Sequence, residues 1–243
     1  MLEISDYFSL QRFSHSALWR PGEPIWSPLL LLNNYLMKSV FRIEIQIASG
    51  VHLERAELIA IGRNTVIEPG VFIQGPCIIG SNCILRHGAY LRGGVICGNR
   101  SVVGHGTEIK HSILLDDVAA THFAYIGDSI IGNGVNLGAG VKCANLRLDR
   151  KEVSIWDCGN RVLTGLKKFG AVIGDRVQIG CNCVLNPGTL IGKDSISYPL
   201  LHFGGSIPPF SQIEAAAKVH IEPITNPLFA LRNRELTEKA HAP

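Results

Sequence analysis

From Ile61 onward an aliphatic or thiol side chain returns at every sixth position: Ile61, Ile67, Ile73, Ile79, Leu85, Leu91, Cys97, Val103, Ile109 and Leu115. Four residues after each stands a small or branched one: Thr65, Val71, Cys77, Cys83, Ala89, Val95, Ser101, Thr107, Ile113 and Ala119. Turn-forming runs such as GRNTV, EPGVF and GSNCI lie between them. A period of six fits neither a helix nor a simple alternating strand. It describes a short strand, a corner and a small inward residue, and three such units close a triangular coil of about 18 residues. The predicted class is all-β: a left-handed parallel β-helix, an exception to the usual right-handed crossover. Prisms of this kind commonly pair side by side as trimers.

The array shortens near residues 121–131, where Ile126 and Ile131 are five apart, and then resumes through Leu137 and Cys143. It lapses over a loop at 144–170 and returns at Ile173, Ile179, Leu185 and Ile191, with Val177, Cys183, Thr189 and Ser195 as small partners. A long loop beside a regular solenoid is more often functional than decorative. Before the array, residues 1–50 are irregular and then helical. Ser27 is placed as a cap, Pro28 in the first turn, and Leu29, Leu32, Tyr35, Leu36 and Val40 on one face. Residues 41–60 alternate, with Phe41, Ile43, Ile45 and Ile47 on one side, and read as a strand. From about Tyr198 the chain leaves the array, and a strand or short helix and a final helix are expected to cap its open end. The expected organisation is 1–50 as attachment and connector helix, 51–197 as β-helix, and 198–243 as cap and tail.

Composition narrows the function. With 46% hydrophobic and 18% charged residues the chain is not disordered, and a net charge of +3 is too weak to point to nucleic acid. No apolar stretch is long enough to span a bilayer. Seven cysteines, an odd number, and no secretory leader suggest free thiols in the cytoplasm.

The stretch HFAYIGDSIIGNGVNLGA, residues 122–139, gathers residues that a repeat fold does not require. His122 has the side chain suited to taking a proton near neutral pH, and it is placed where the hexad breaks. Arg92 and Lys110 are 18 residues apart, one coil, so they stack about 4.8 Å apart. Like charges that close call for an anion, and a phosphate is the simple candidate. Asn136 and Asn145 offer amide hydrogen bonds, or serve as ordinary corner residues. Gly138, Ala139 and Gly140 make a corner over which an extended arm could lie, or a plain tight turn. Cys77, Cys83, Cys97, Cys143 and Cys183 fall on inward positions as small hydrophobes. His87, His105 and His111 raise a zinc alternative, without a characteristic short-spaced ligand pair.

LRGG at 91–94, EIK at 108–110, HFAYIGDSIIGNGVNLGAG at 122–140, CAN at 143–145 and KFGAVIGD at 168–175 carry a resemblance. They resemble the acetyltransferase domain of the bifunctional N-acetylglucosamine-1-phosphate uridyltransferase / glucosamine-1-phosphate acetyltransferase family. IWSPLLLLNNYL, residues 25–36, is similar to the connector helix of related sugar nucleotidyltransferases. The resemblance implies acetyl transfer from acetyl-CoA to the amine of glucosamine 1-phosphate, at a site between subunits of a homotrimer, without a metal. It implies His122 as general base and Arg92, Lys110 and Lys168 on the sugar phosphate. Tyr125, Asn136 and Asn145 would contact the sugar or the thioester, with Tyr125 and Asn136 assigned to the substrate and Asn145 to acetyl-CoA, and backbone near Ala139 and Cys181 would hold the CoA arm. The chain departs from the family in having Leu146 where an aromatic hydroxyl is usual and in its longer 146–167 loop. It also lacks the final Ala-rich coil and a nucleotidyltransferase domain. That last departure implies an alternative: a non-catalytic trimeric β-helix that scaffolds a separate sugar nucleotidyltransferase.

Overall fold

The computed structural model describes residues 3–157 and 160–215. The chain winds through three parallel eight-stranded sheets in turn. The first sheet begins with His52–Glu54, the second with Ile59–Ile61 and the third with Val66–Ile67. This is the left-handed β-helix that the six-residue period predicts. Each strand stacks on the strand one coil earlier, so the inward residues form ladders. Ile61, Ile79 and Cys97 are one such ladder, and Ile73, Leu91 and Ile109 another. The inward cysteines Cys77, Cys83, Cys97, Cys143 and Cys183 are buried, as their hexad positions require.

The inward register slips once more than the sequence suggests. Cys97 pairs with Leu114, which joins the inner core, while Leu115 and Ile113 face outward into a second apolar cluster. Val118, not Ala119, is the inward small partner of that coil. The corner after Lys110 is one residue shorter than its predecessors: His111 alone spans it, where Gly93 and Gly94 span the equivalent corner one coil earlier. The apolar residues on both sides of the slip concealed it, because Leu114 and Leu115 satisfy either register.

The boundaries of the array also move. Residues 41–60 do not form one strand: Ile43 makes an isolated parallel bridge to Ile61, and a 3-10 turn, Ala56–Leu58, separates two short strands. Ile43, Ile45 and Ile47 nonetheless pack against the inner core, so the coil begins before residue 51. At the other end the chain does not leave the array at Tyr198. His202–Phe203, Ser206–Ile207 and Gln212–Ile213 add a final strand to each sheet. The final helix expected in the tail lies outside the described residues.

The N-terminal attachment sits where the second sheet needs it. That sheet is apolar on both faces: Ile96, Ile113, Ile130, Val172 and Leu190 point outward and are buried. They are covered by Tyr7, Phe8, Phe13, Trp19, Ile25 and Trp26 and by helix α1 (Ser27–Met37), which turns Leu29, Leu32 and Leu36 inward. Burying each such side chain is worth about 1.5–3 kcal/mol. Trp26 holds the cap position and Ser27 is already helical; Val40 lies beyond the helix end and is exposed. Backbone bonds from Asp175 N to Tyr7 O (2.7 Å) and from Lys193 N to Asp6 O (2.9 Å) tie the segment across successive coils. The 144–170 loop contains an antiparallel hairpin, Ser154–Asp157 with Asn160–Leu163, and Val153, Ile155 and Phe169 join the same cover. The candidate site lies on the outer faces of the first and third sheets, away from this cover.

Candidate functional site

The first sheet brings Arg92, Lys110, Tyr125 and Asn145 together. Arg92 ends the strand Tyr90–Arg92, Lys110 ends Glu108–Lys110, and Tyr125 opens Tyr125–Gly127. Glu108 pairs with Tyr90 on one side and with Tyr125 on the other. Asn145 follows Lys142–Cys143, the next strand of the sheet, and its carbonyl accepts the backbone N–H of Phe169 at 2.8 Å. Lys168 is therefore delivered to the same edge, where it bridges Leu146 and is exposed.

The expected stacking of Arg92 and Lys110 holds, but the anions between the coils belong to the protein. Arg92 Nη1 donates to Glu108 Oε1 at 2.5 Å, and Lys110 Nζ donates to Asp128 Oδ2 at 3.0 Å. Neither cation requires a phosphate to offset its neighbour. The two pairs differ in exchangeability. Arg92–Glu108 is solvent-exposed and so worth about 0–1 kcal/mol. The carboxylate facing Lys110 is buried, with Asp128 5% exposed.

Asp128 is the hub that the sequence reading passed over. Asn145 Nδ2 donates to its Oδ2, and His111 Nδ1 lies 3.1 Å from its Oδ1. His111 makes no well-aligned hydrogen bond there, and its Nδ1 is buried. Both residues have left-handed backbone, φ 46° at His111 and 48° at Asp128, which is uncommon outside glycine. Burial works to raise the Asp128 carboxyl, yet His111, Asn145 and Lys110 outweigh it and hold the group below the usual carboxylate range. Tyr125 is displaced the other way: burial and the charges of Glu108 and Asp128 raise its hydroxyl, against the opposing influence of Asn145 and Arg92. The signal that could have found Asp128 was its spacing, 18 residues after Lys110, the same interval that linked Arg92 to Lys110.

The remaining candidates lie on the adjoining edge. His122 ends the strand Ala119–His122 of the third sheet, in register with His105, and is exposed. It does not sit at a shortened hexad. Leu114, Ala120 and Ile126 are all inward and evenly six apart, and the short steps fall on either side of them. Asn136 is exposed on the next strand of the same sheet, and Gly140 N donates to His122 O at 3.0 Å. The small corner at 138–140 has a packing reason. A Cβ at Gly138 would come within 2.6 Å of Cys181 N, and one at Gly140 (φ 77°) would collide with the Asn182 side chain. Cys181 is exposed on the coil above. The site therefore has two parts, a first-sheet group around Tyr125 and Asp128 and a corner group around His122, joined through residues 122–125.

His87 and His105 stack with ring centroids 5.7 Å apart, each Nδ1 on a backbone carbonyl of the preceding coil. His111 stands at a different corner. Among the described residues no group of three or more His, Cys, Asp or Glu is placed to hold a metal ion. A cavity of about 310 Å³ lies under the N-terminal segment, lined by Ile4, Glu23, Ile25, Trp26, Ile155 and Val162 among others, and none of the candidate residues borders it.

A hexad-wound left-handed β-helix with a histidine at an open corner and a polar cluster beside it defines the class, that of the hexapeptide-repeat transferase folds. Residues 73–197 match the family of the GMPPB C-terminal domain, and the chain belongs to it. It is 35% identical over 180 residues to the uncharacterized acetyltransferase YaiX of Escherichia coli, covering 73% of this chain and 78% of that protein. It is 42% identical over 91 residues to the bifunctional sugar-1-phosphate nucleotidylyltransferase/acetyltransferase of Sulfurisphaera tokodaii, covering 37% of this chain and 23% of that protein. The chain thus spans less than a quarter of the bifunctional relative. The UDP-N-acetylglucosamine acyltransferase of Francisella novicida shares the fold, with a TM-score of 0.54 at 17% identity over 80% of this chain and 71% of that one.

Proposed function

We propose that this protein is an acetyl-CoA-dependent N-acetyltransferase acting on an amino-sugar 1-phosphate, with glucosamine 1-phosphate the first candidate. Such a reaction serves UDP-N-acetylglucosamine and cell-envelope precursor synthesis in the cytoplasm. The observation that carries the reading is the convergence of Arg92, Lys110, Tyr125, Asn145 and Lys168 on one edge of the first sheet, beside the corner that exposes His122. Relatives named as acetyltransferases support the reaction type.

In this reading His122 removes the proton that the attacking amine must lose as it adds to the thioester carbonyl; the CoA thiolate then leaves. Arg92 exchanges its exposed partner Glu108 for the substrate phosphate, with Lys168 alongside. Tyr125 orients the sugar, and Asn145, expected on the acetyl-CoA side, is assigned to the sugar with it because its amide lies on Asp128 beside Tyr125. Asn136 and the backbone around Ala139 and Cys181 lie on the His122 side, where the acetyl-CoA arm would run. The outer face of the second sheet is covered by the N-terminal segment and the 144–170 loop, and a neighbouring copy is placed on the first and third sheets. A homotrimer built on those faces brings a second chain to the site edge.

CoA release from acetyl-CoA with glucosamine 1-phosphate, read by mass spectrometry, tests the proposal. Wild type is expected to turn over, and His122→Ala to lose roughly 10²–10⁴-fold in rate while keeping its melting temperature, because the side chain is exposed. Equal rates for the two would remove His122 as the base. One observation favours a second reading: Glu108 and Asp128 already satisfy both stacked cations. A non-catalytic trimer supporting a separate nucleotidyltransferase would show no turnover with any amino-sugar phosphate.

A further inference from the structure

A buried carboxylate that serves three polar side chains from neighbouring coils fixes more than charge. Asp128 is 5% exposed and stands at the corner after the strand Tyr125–Gly127, with its backbone turned into the left-handed region. Its own backbone is tied on both sides: its N–H donates to Lys110 O at 2.9 Å and its carbonyl accepts from Gly170 N at 2.8 Å. The side chain points back toward the first sheet. There it meets Lys110 Nζ at 3.0 and 3.4 Å, Asn145 Nδ2, and His111 Nδ1 at 3.1 Å.

The chemistry of each partner follows from the carboxylate. An ionised Asp only accepts, so the Asn145 amide must turn its NH₂ inward. The Tyr125 hydroxyl stands beside it: Asn145 Nδ2 and Tyr125 Oη both flank Gly127, 2.6 and 2.7 Å from where a Cβ would lie there. The Asn145 carbonyl oxygen is then turned away from Asp128 and left as an acceptor. The Lys110 ammonium has three hydrogens, and Asp128 orients it so that the remainder point along the sheet. A charge-assisted contact at this depth is stronger and stiffer than an exposed one.

We propose that Asp128 is a positioning residue for the acceptor substrate: it sets the direction of the Lys110 ammonium and the donor–acceptor sense of the Asn145 amide. The inference rests on the acetyl-transfer reading and says which substrate the cluster serves. Asp128 touches neither reactant. It acts through Lys110 and Asn145 on the amino-sugar phosphate, and not on acetyl-CoA, whose proposed track lies across the corner at Ala139 and Cys181.

Asp128→Asn keeps the shape and removes the charge. It also makes the facing amide pair ambiguous, since either could then donate. The expected result is a rise of about tenfold or more in the KM for glucosamine 1-phosphate, with the KM for acetyl-CoA changed less than twofold. A residue of merely structural importance would shift both together. Should Asp128→Asn fail to fold, Lys110→Met combined with Asn145→Ser is expected to reproduce the acceptor-only rise. An unchanged acceptor KM in a folded variant of either kind would overturn the proposal. If wild type shows no turnover, the acetyl-transfer reading fails first. Calorimetric binding of glucosamine 1-phosphate then decides for Asp128: weaker binding by Asp128→Asn supports it, while equal binding, or none by wild type, ends it.

Discussion

Asp128 shows how a single residue can carry opposing influences. Burial disfavours its charge, while Lys110, Asn145 and His111 favour it, and the favourable side wins. A carboxyl whose folded pKa is depressed stabilises the fold above its unfolded value of about 3.9, and that stability is lost as pH falls through the folded value. Wild type should therefore exceed Asp128→Asn in stability at pH 5–7, with the gap narrowing below about pH 4. Urea midpoints measured across that range check this. A gap that widened toward acid would mean that desolvation dominates and that the carboxyl is strained. His111 was read as one of three possible metal ligands, yet it belongs with Asp128, separate from the His87–His105 stack.

At the scale of elements, the N-terminal segment and the 144–170 loop stabilise one another over the second sheet. Trp26 is the joint between them. It is 4% exposed, its ring lies 6.2 Å from that of Phe169, and its indole N–H donates to Thr164 O at 3.2 Å. Trp26→Ala should cost about 3–5 kcal/mol. The loss should appear in both covering elements: hydrogen exchange is expected to quicken in residues 5–36 and in 153–169, with the third sheet protected as before. Faster exchange in the N-terminal segment alone would mean that the loop packs independently. The helix was legible because Leu29, Leu32 and Leu36 keep helical spacing. Its docking partner was not, because the outward isoleucines of the second sheet read simply as strand residues.

At the scale of the molecule, covering one face of a three-sided prism decides what the other two can do. The third sheet presents the column Val66, Ile84, Val102 and Ala119 one coil apart, with Val66 56% and Ile84 37% exposed. An apolar stripe of this kind, beside His122, suits contact with a second copy. The chain is expected to run as a trimer in light scattering. Ile84→Arg should shift it toward monomer and reduce turnover with it, because the site edge would lose its neighbour. A monomeric, fully active wild type would contradict the shared site.

The six-residue period determined the fold class unaided, because inward aliphatic residues at every corner suit a triangular coil and little else. It also put Arg92 one coil before Lys110, while His122, Tyr125 and Lys168 came from the resemblance carried by HFAYIGD and KFGAVIGD. Tertiary structure decided the rest. The slip between Ile109 and Leu114 was hidden by two adjacent leucines, either of which fills the core. The final coil at 198–213 was hidden because one of its steps is short: Phe203 and Ile207 are only four apart, so Ile191 pairs with Ile207, 16 residues on. Whether Arg92 and Lys110 stood as bare cations could not be read from their own register. It depended on Glu108, reaching across from the neighbouring coil, and on Asp128, whose left-handed backbone turns its carboxylate back onto the sheet.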